Sequence, residues 1–159
     1  MRWLLETRPD ATLTIARIAA GVVMLPHGLQ KTVGWFGGYG FSATMQAFTQ
    51  QMGIPAPLAF LVIVAESFGA LGLIFGFLGR LSAFGIGMTM AVAMFMNHIQ
   101  NGFFMNWYGS QKGEGIEYFL LMLGLNAIVV YRGSGALSID AWLAPRTTRR
   151  APSAVAIPA

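Results

Sequence analysis

The chain has 159 residues and a formal net charge of +4, yet only 10% of its residues are charged and 55% are hydrophobic. Soluble domains carry about 25% charged residues, so this composition, with a mean hydropathy of +0.61, predicts a single domain whose main solvent is lipid. The chain contains no cysteine, which excludes disulfides, thiol redox chemistry and iron–sulfur or zinc–thiolate sites. The basic residues are scattered, so the positive charge does not indicate a nucleic-acid partner.

Four apolar stretches approach the ~20 residues that a helix needs to cross a bilayer. They cover residues 11–29, 58–78, 81–98 and 116–132. Gly79 and Arg80 separate the second from the third, which predicts a tight hairpin of antiparallel helices. We interpret the first stretch as a retained helix rather than a signal peptide, because it contains Arg17 and no clear cleavage site follows it. The predicted fold is an all-α membrane protein, a four-transmembrane-helix bundle of residues 1–144.

Two loops combine glycine with aromatic residues, a composition that suits the membrane interface. The first, residues 30–56, contains a segment, 42–52, that predicts a short amphipathic helix lying flat on the bundle mouth. Ser42 is its expected N-cap, and Gly53 and Pro55 are expected to end it. The second loop covers residues 99–115. Residues 145–159 are rich in Ala, Pro and Arg, which predicts a disordered tail.

The distribution of basic residues predicts the orientation. With four spans, both termini and the Arg80 turn lie on one side, and seven arginines lie on it: Arg2, Arg8, Arg80, Arg132, Arg146, Arg149 and Arg150. The other side holds Lys31 and Lys112. Because cytoplasmic loops are enriched in basic residues, we expect both termini in the cytoplasm, the tail included, and the two aromatic loops outside a cytoplasmic (inner) membrane.

Two oppositely charged residues lie well inside predicted spans. Charges at such depth are costly unless they are paired or face a watery interior. Arg17 and Glu66 are expected at similar depths, so we predict a structural ion pair between them. Such a pair would fix helix register without any functional role, and that alternative carries equal weight.

A second group of polar side chains is predicted near the outer mouth of the bundle: His27, Lys31, His98 and Glu117, with Glu66 below them. Each has an ordinary explanation taken alone. A histidine at a helix end suits the interface, Lys31 can snorkel, and Glu117 suits a helix N-terminus. Their convergence on one region favours a polar site.

Two histidines and two carboxylates can exchange hydrogen bonds and protons with a carbonyl or hydroxyl pair at neutral pH. A quinone or quinol headgroup is therefore the first expected ligand. A metal held by His27, His98 and a carboxylate is the second, and a haem between the two histidines is the third and least favoured.

At these residues the sequence resembles the DoxX family of small four-helix membrane proteins. The matching segments, in chain order, are 17–21, 27–31, 34–40, 65–66, 76–80, His98 with 102–104, 115–118, 133–135 and 138–140. The resemblance covers nearly all of residues 11–143. It implies a membrane subunit of a quinol oxidase or thiosulfate:quinone oxidoreductase, or a protein linked to oxidative stress. Any oxidase activity would then need a partner, since the chain has no separate soluble catalytic domain.

Two non-redox functions stay open. The chain could be a non-enzymatic scaffold that anchors soluble redox proteins to the membrane. It could also be a small exporter of phenolic or quinone-like compounds, which four helices would support as a homo-oligomer, although the sequence has no obvious inverted repeat.

Overall fold

The computed structural model describes residues 2–144, and this part of the chain is helical, with no β-strand. Its helices are α1 (Arg2–Leu5), α2 (Ala11–Thr32), α3 (Gly40–Gln46), α4 (Ala56–Phe75), α5 (Gly79–Asn101), α6 (Glu117–Arg132) and α7 (Ile139–Leu143).

Three of these helices, α2, α4 and α5, are long and apolar enough to cross a membrane, with 22, 20 and 23 residues. They correspond to the first three predicted spans. Helix α6 occupies the fourth predicted stretch, but it has 16 residues and is about 24 Å long at ~1.5 Å per residue. That is shorter than the ~30 Å hydrocarbon core of a bilayer, so its crossing of the membrane stays a prediction.

The long helices pack as a bundle, in which α2 lies against α4 and α6, and α5 lies against α6. Its core is built mainly from Ala, Leu, Ile, Met and Phe side chains, including Met24, Leu73, Ile86, Phe119 and Met122. Large apolar side chains also cover the outside, among them Ile15, Phe68, Phe84 and Phe95. Such outward-facing side chains suit a lipid-covered surface, because lipid tails are as apolar as they are.

Helices α2 and α4 approach each other closely at Gly28. A Cβ atom added there would lie 2.4 Å from the backbone oxygen of Glu66. The Ser67 hydroxyl donates a hydrogen bond to the Gly28 carbonyl at 3.2 Å. Glycine is therefore required by packing at this crossing, as is common where membrane helices approach closely.

The hairpin between α4 and α5 turns earlier than the sequence predicted. Gly79 and Arg80 are the first residues of α5, and the turn comprises residues 76–78. Gly76 has a left-handed conformation with φ of 66°, which commonly ends a helix. The Asp140 carboxylate accepts hydrogen bonds from the Leu78 and Gly79 amides at 2.8 and 2.9 Å, and so caps the N-terminus of α5.

Arg80 connects α5 to two other elements at the same end of the bundle. Its guanidinium donates to the Val130 and Tyr131 carbonyls, at 2.6 and 3.0 Å, in the last turn of α6. It also donates to the Glu6 carbonyl and lies 4.7 Å from the centre of the Trp3 ring, a cation–π contact. The end of the bundle that contains α1 and α7 is named the inner end below, and the opposite end is the outer end.

A short helix does occur in the first aromatic loop, but its bounds differ from those predicted. α3 begins at Gly40, so Ser42 lies inside the helix and the predicted N-cap is wrong. A wider π-helical turn, Ala47–Gln51, continues α3, and Gly53, with φ of 69°, follows it as predicted. The placement of α3 flat on the membrane stays a prediction. The expected disordered tail, 145–159, lies outside the described residues.

Candidate functional site

An ion pair joins the outer end of α2 to the middle of α4. The Lys31 ammonium is 2.5 Å from a carboxylate oxygen of Glu66. Glu66 is buried, with 4% of its surface exposed, and it lies in a π-helical turn, Ala65–Gly69, within α4. Such turns are rare and frequently occur at functional sites. Lys31 lies in the last turn of α2, where the helix dipole favours a cation.

This arrangement corrects the predicted pairing of Arg17 with Glu66, because both residues have other partners. The Arg17 guanidinium donates to the Leu73 and Ile74 carbonyls of α4, at 2.5 and 2.6 Å. It also donates to the Ser134 carbonyl at 2.6 Å and to that of Leu137. The last carbonyls of a helix lack partners within it, so Arg17 caps the C-terminus of α4 at the inner end.

Tyr118 and His27 lie beside the Lys31–Glu66 pair. The Tyr118 hydroxyl is buried and has no hydrogen-bond partner among the described residues, and the Glu66 charge is within electrostatic range of it. The His27 ring lies 6.4 Å from the Tyr118 ring, centre to centre, and is exposed on the bundle surface. The charges of Lys31 and Glu66 are within range of that ring.

His98 belongs to a different environment. Its Nδ1 lies 2.9 Å from the Glu114 carbonyl oxygen, and its ring packs 4.3 Å from the Phe119 ring. The two histidines thus pack on two successive aromatic residues of α6, Tyr118 and Phe119. Within residues 2–144, no three His, Cys, Asp or Glu side chains come together to hold a metal. The predicted set of His27, His98 and a carboxylate is therefore not assembled.

Glu117 holds the second aromatic loop in place. Its carboxylate accepts hydrogen bonds from the Met105 amide, at 2.9 Å, and from the Trp107 indole N–H, at 3.2 Å. The Glu114 carboxylate likewise accepts a hydrogen bond from the Asn106 amide, at 2.6 Å. Glu117 therefore positions the loop beside the site, as a residue at the start of α6, rather than joining the Lys31–Glu66 pair.

Of the six predicted residues, the structure brings together His27, Lys31 and Glu66, to which it adds Tyr118. These four residues are named the outer site. Sequence reasoning did not select Tyr118, although a phenol in an otherwise apolar helix was the available signal. A buried hydroxyl usually finds a hydrogen-bond partner, so the unpaired Tyr118 hydroxyl marks a place where a ligand oxygen or a water would be stabilised.

Comparison with known proteins places the chain in a family. The DoxX family model matches residues 12–99, more than half of the chain. The chain belongs to the DoxX family. It is also 31% identical over 137 residues to the inner membrane protein YqjF of Escherichia coli (strain K12), an alignment covering 82% of this chain and 91% of that protein. No solved structure matches it.

The family match and the three apolar helices agree on location. The relative is an inner membrane protein, and α2, α4 and α5 have the length and composition of membrane spans. This DoxX chain is therefore a multi-pass protein of the cytoplasmic membrane, with the lipid bilayer as its surroundings.

Proposed function

We propose that the outer site binds the headgroup of a quinone or quinol, as part of a redox or oxidative-stress process that a partner protein completes. The observation that carries the proposal is the unpaired, buried Tyr118 hydroxyl beside the buried Lys31–Glu66 pair. Hydrogen-bond donors and acceptors thus lie next to an aromatic surface toward the outer end of a membrane bundle. Such an arrangement suits a ligand with two oxygens and an apolar tail.

The four side chains have complementary tasks in this proposal. The Tyr118 hydroxyl and the Lys31 ammonium donate hydrogen bonds to a quinone carbonyl oxygen. Glu66 accepts from the hydroxyl of a quinol. His27, exposed at the edge of the site, can exchange a proton with solvent because imidazole titrates near neutral pH. The quinone supplies the redox chemistry, and these residues bind it, orient it and move its protons.

The first prediction tests binding at Tyr118. Removing the hydroxyl in Tyr118→Phe deletes one hydrogen bond to the ligand, so a short-chain ubiquinone or menaquinone analogue should bind about fivefold more weakly. Binding is followed in detergent through Trp35 and Trp107 fluorescence. Tyr131→Phe is the matched control, because Tyr131 lies near the opposite end of α6 with 78% of its surface exposed, and it should bind like the wild type.

The stability of the same variant separates binding from folding. Deleting an unsatisfied buried hydroxyl removes a desolvation cost, so Tyr118→Phe should unfold no more easily than the wild type. Equal quinone affinity in wild type, Tyr118→Phe and Glu66→Gln would contradict the proposal. Full protection of cells against oxidants by those binding-deficient variants would favour the scaffold function instead.

We also propose that α6 is the fourth span and that both termini lie in the cytoplasm. α6 packs lengthwise against α2 and α5, and large apolar side chains such as Leu121 and Ile128 lie on its exposed surface. A length near 24 Å can be accommodated by local thinning of the bilayer. The arginine-rich inner end supports a cytoplasmic location for α1 and α7.

The absence of cysteine makes this topology directly measurable. Ser110→Cys, in the exposed second aromatic loop, should react with a membrane-impermeant thiol reagent added to cells whose cytoplasmic membrane is intact. If the cells have an outer membrane, it is permeabilised first. Leu137→Cys, exposed beside α7, should react only after the cytoplasmic membrane is opened. Labelling of both positions from outside, or of Leu137→Cys alone, would contradict the proposed topology.

A further inference from the structure

A groove of about 540 Å³ lies at the inner end, between the N-terminus of α2 and the C-terminus of α6. Leu13, Ala127 and Ile128 form its apolar wall, and Asp10, Tyr131 and Arg132 lie at its polar side. The groove is remote from the outer site, since Asp10 and Arg132 are at the ends of their helices opposite to Lys31 and Glu117.

The apolar wall continues outward along α6. Gly124 lies one turn before Ala127 and Ile128, on the same side of the helix. A Cβ added at Gly124 would meet nothing within 4 Å, so the helix surface there is open. With α6 as the fourth span, as proposed above, this trough faces the acyl region of the bilayer and its polar side lies at the headgroup level.

Asp10 presents a negative charge to the groove. It is the N-cap of α2, and its carboxylate accepts a hydrogen bond from the Thr12 amide at 2.8 Å. That backbone hydrogen bond lowers the pKa of the Asp10 carboxyl below its usual value, so the group is ionised at neutral pH. The Thr12 side chain, the Leu13 amide and the Arg132 charge lower this pKa further.

Arg132 presents a positive charge beside it. Arg17 and Arg80 use their guanidinium groups on backbone carbonyls, as described above. In residues 2–144 the Arg132 guanidinium makes no hydrogen bond, and it forms no ion pair with Asp10 although both line the groove. A carboxylate and a guanidinium thus lie side by side with free hydrogen-bonding capacity.

We infer that this groove is a binding site for a phospholipid that carries a primary ammonium, of the phosphatidylethanolamine type. Arg132 binds the phosphate, Asp10 accepts hydrogen bonds from the ammonium, and one acyl chain lies along Leu13, Ala127 and Ile128. Tyr131, at the headgroup level, is placed to donate its hydroxyl to the phosphate, as interfacial tyrosines commonly do.

The two charges select between headgroups. A zwitterionic headgroup with an N–H donor matches both side chains. Phosphatidylglycerol has the phosphate but offers Asp10 no cation, and its net negative charge is repelled there. Phosphatidylcholine has the same charges as phosphatidylethanolamine, but its quaternary ammonium has no N–H to donate. The site should therefore prefer the primary amine over both.

Native mass spectrometry of the detergent-solubilised full chain measures this preference with lipids of identical acyl chains. Phosphatidylcholine loses the hydrogen bond to Asp10 and phosphatidylglycerol loses the ammonium, so phosphatidylethanolamine should bind about fivefold more tightly than either. Asp10→Asn should abolish the preference while keeping the helix cap, because Asn caps helices as well as Asp does. Arg132→Gln should weaken the binding of all three lipids.

Arg8→Gln is the matched control, since it removes one exposed positive charge near the same end without lining the groove. It should leave the affinities and their order unchanged. Equal affinity of the wild type for the three lipids would overturn the inference, because the groove would then hold bulk lipid without selection. Equal weakening by Arg8→Gln and Arg132→Gln would also overturn it, because the attraction would then be general surface charge.

Discussion

Arg17→Met should lower the free energy of unfolding by about 3–5 kcal/mol, because several buried carbonyls lose a charged donor and each such loss costs about 1–3 kcal/mol. Arg17 is 1% exposed and donates to four backbone carbonyls, those of Leu73, Ile74, Ser134 and Leu137. Methionine fills much of the same volume but donates nothing. The substitution therefore removes the Arg17 donor from the buried Ile74, Ser134 and Leu137 carbonyls, whereas the Leu73 carbonyl keeps the Gly76 amide at 3.2 Å.

Unfolding of the purified chain in mixed micelles, followed by circular dichroism as a denaturing detergent is added, measures this loss. Arg8→Met is the control, since Arg8 is exposed and its side chain forms no hydrogen bond within residues 2–144; its unfolding should match the wild type within ~0.5 kcal/mol. Arg17→Lys should be intermediate, because one ammonium cannot reach all four carbonyls. A stable Arg17→Met chain would show that the carbonyls find other donors.

The same residue shows why sequence reasoning fails for partners inside the bundle. The expected pairing with Glu66 rested on depths counted from predicted helix ends. In the structure Gly28 of α2 lies against Glu66 of α4, so Arg17, eleven residues earlier in α2, lies about 16 Å further toward the inner end than Glu66, at ~1.5 Å per residue. That offset brings Arg17 to the carbonyls at the end of α4, Leu73 and Ile74, instead of to Glu66. Backbone acceptors are invisible in a hydropathy pattern.

Other features were predictable because they depend on composition alone. The three spans and the helical hairpin follow from runs of apolar residues, which the membrane requires at a fixed length. The closeness of His27 and Lys31 also followed from their positions in one helix, whereas the pairing of Lys31 with Glu66 did not. The separation of His98 and Glu117 did not, because it depends on how the loop of residues 102–116 folds back onto α6, through hydrogen bonds such as Ile116 amide to Phe103 carbonyl, at 3.0 Å.

The buried polar groups of the bundle differ in how they are satisfied. At the inner end, Arg17, Arg80 and Asp140 cap helix ends and use their hydrogen-bonding groups on the protein itself. At the outer end, the Tyr118 hydroxyl has no partner among the described residues. Buried polar groups that are fully paired stabilise a fold, and unpaired ones call for an explanation such as a ligand. The unpaired Tyr118 hydroxyl beside the buried Lys31–Glu66 pair is therefore the physical reason for assigning quinone binding to the outer site.

Gly28→Ala should destabilise the chain by about 1–3 kcal/mol, the usual cost of overpacking, and should weaken quinone binding in parallel. The added Cβ would lie 2.4 Å from the Glu66 backbone oxygen and 2.6 Å from the Ser67 Cα. Both are backbone atoms that cannot rotate away, so α2 and α4 must separate. Separation lengthens the Lys31–Glu66 contact and the Ser67–Gly28 hydrogen bond together.

Gly124→Ala is the matched control for this substitution, since both glycines lie within helices but nothing lies within 4 Å of a Cβ at Gly124. Alanine is favoured over glycine in a helix by about 1 kcal/mol, so Gly124→Ala should unfold no more easily than the wild type and should bind quinone normally. Unfolding in mixed micelles and the tryptophan fluorescence titration measure both quantities. Equal stability of the two variants would show that α2 and α4 are not in contact at Gly28. Lost stability with unchanged quinone affinity would show that the α2–α4 contact at Gly28 stabilises the fold. It would also show that the ligand does not use the Lys31–Glu66 pair, which this contact positions.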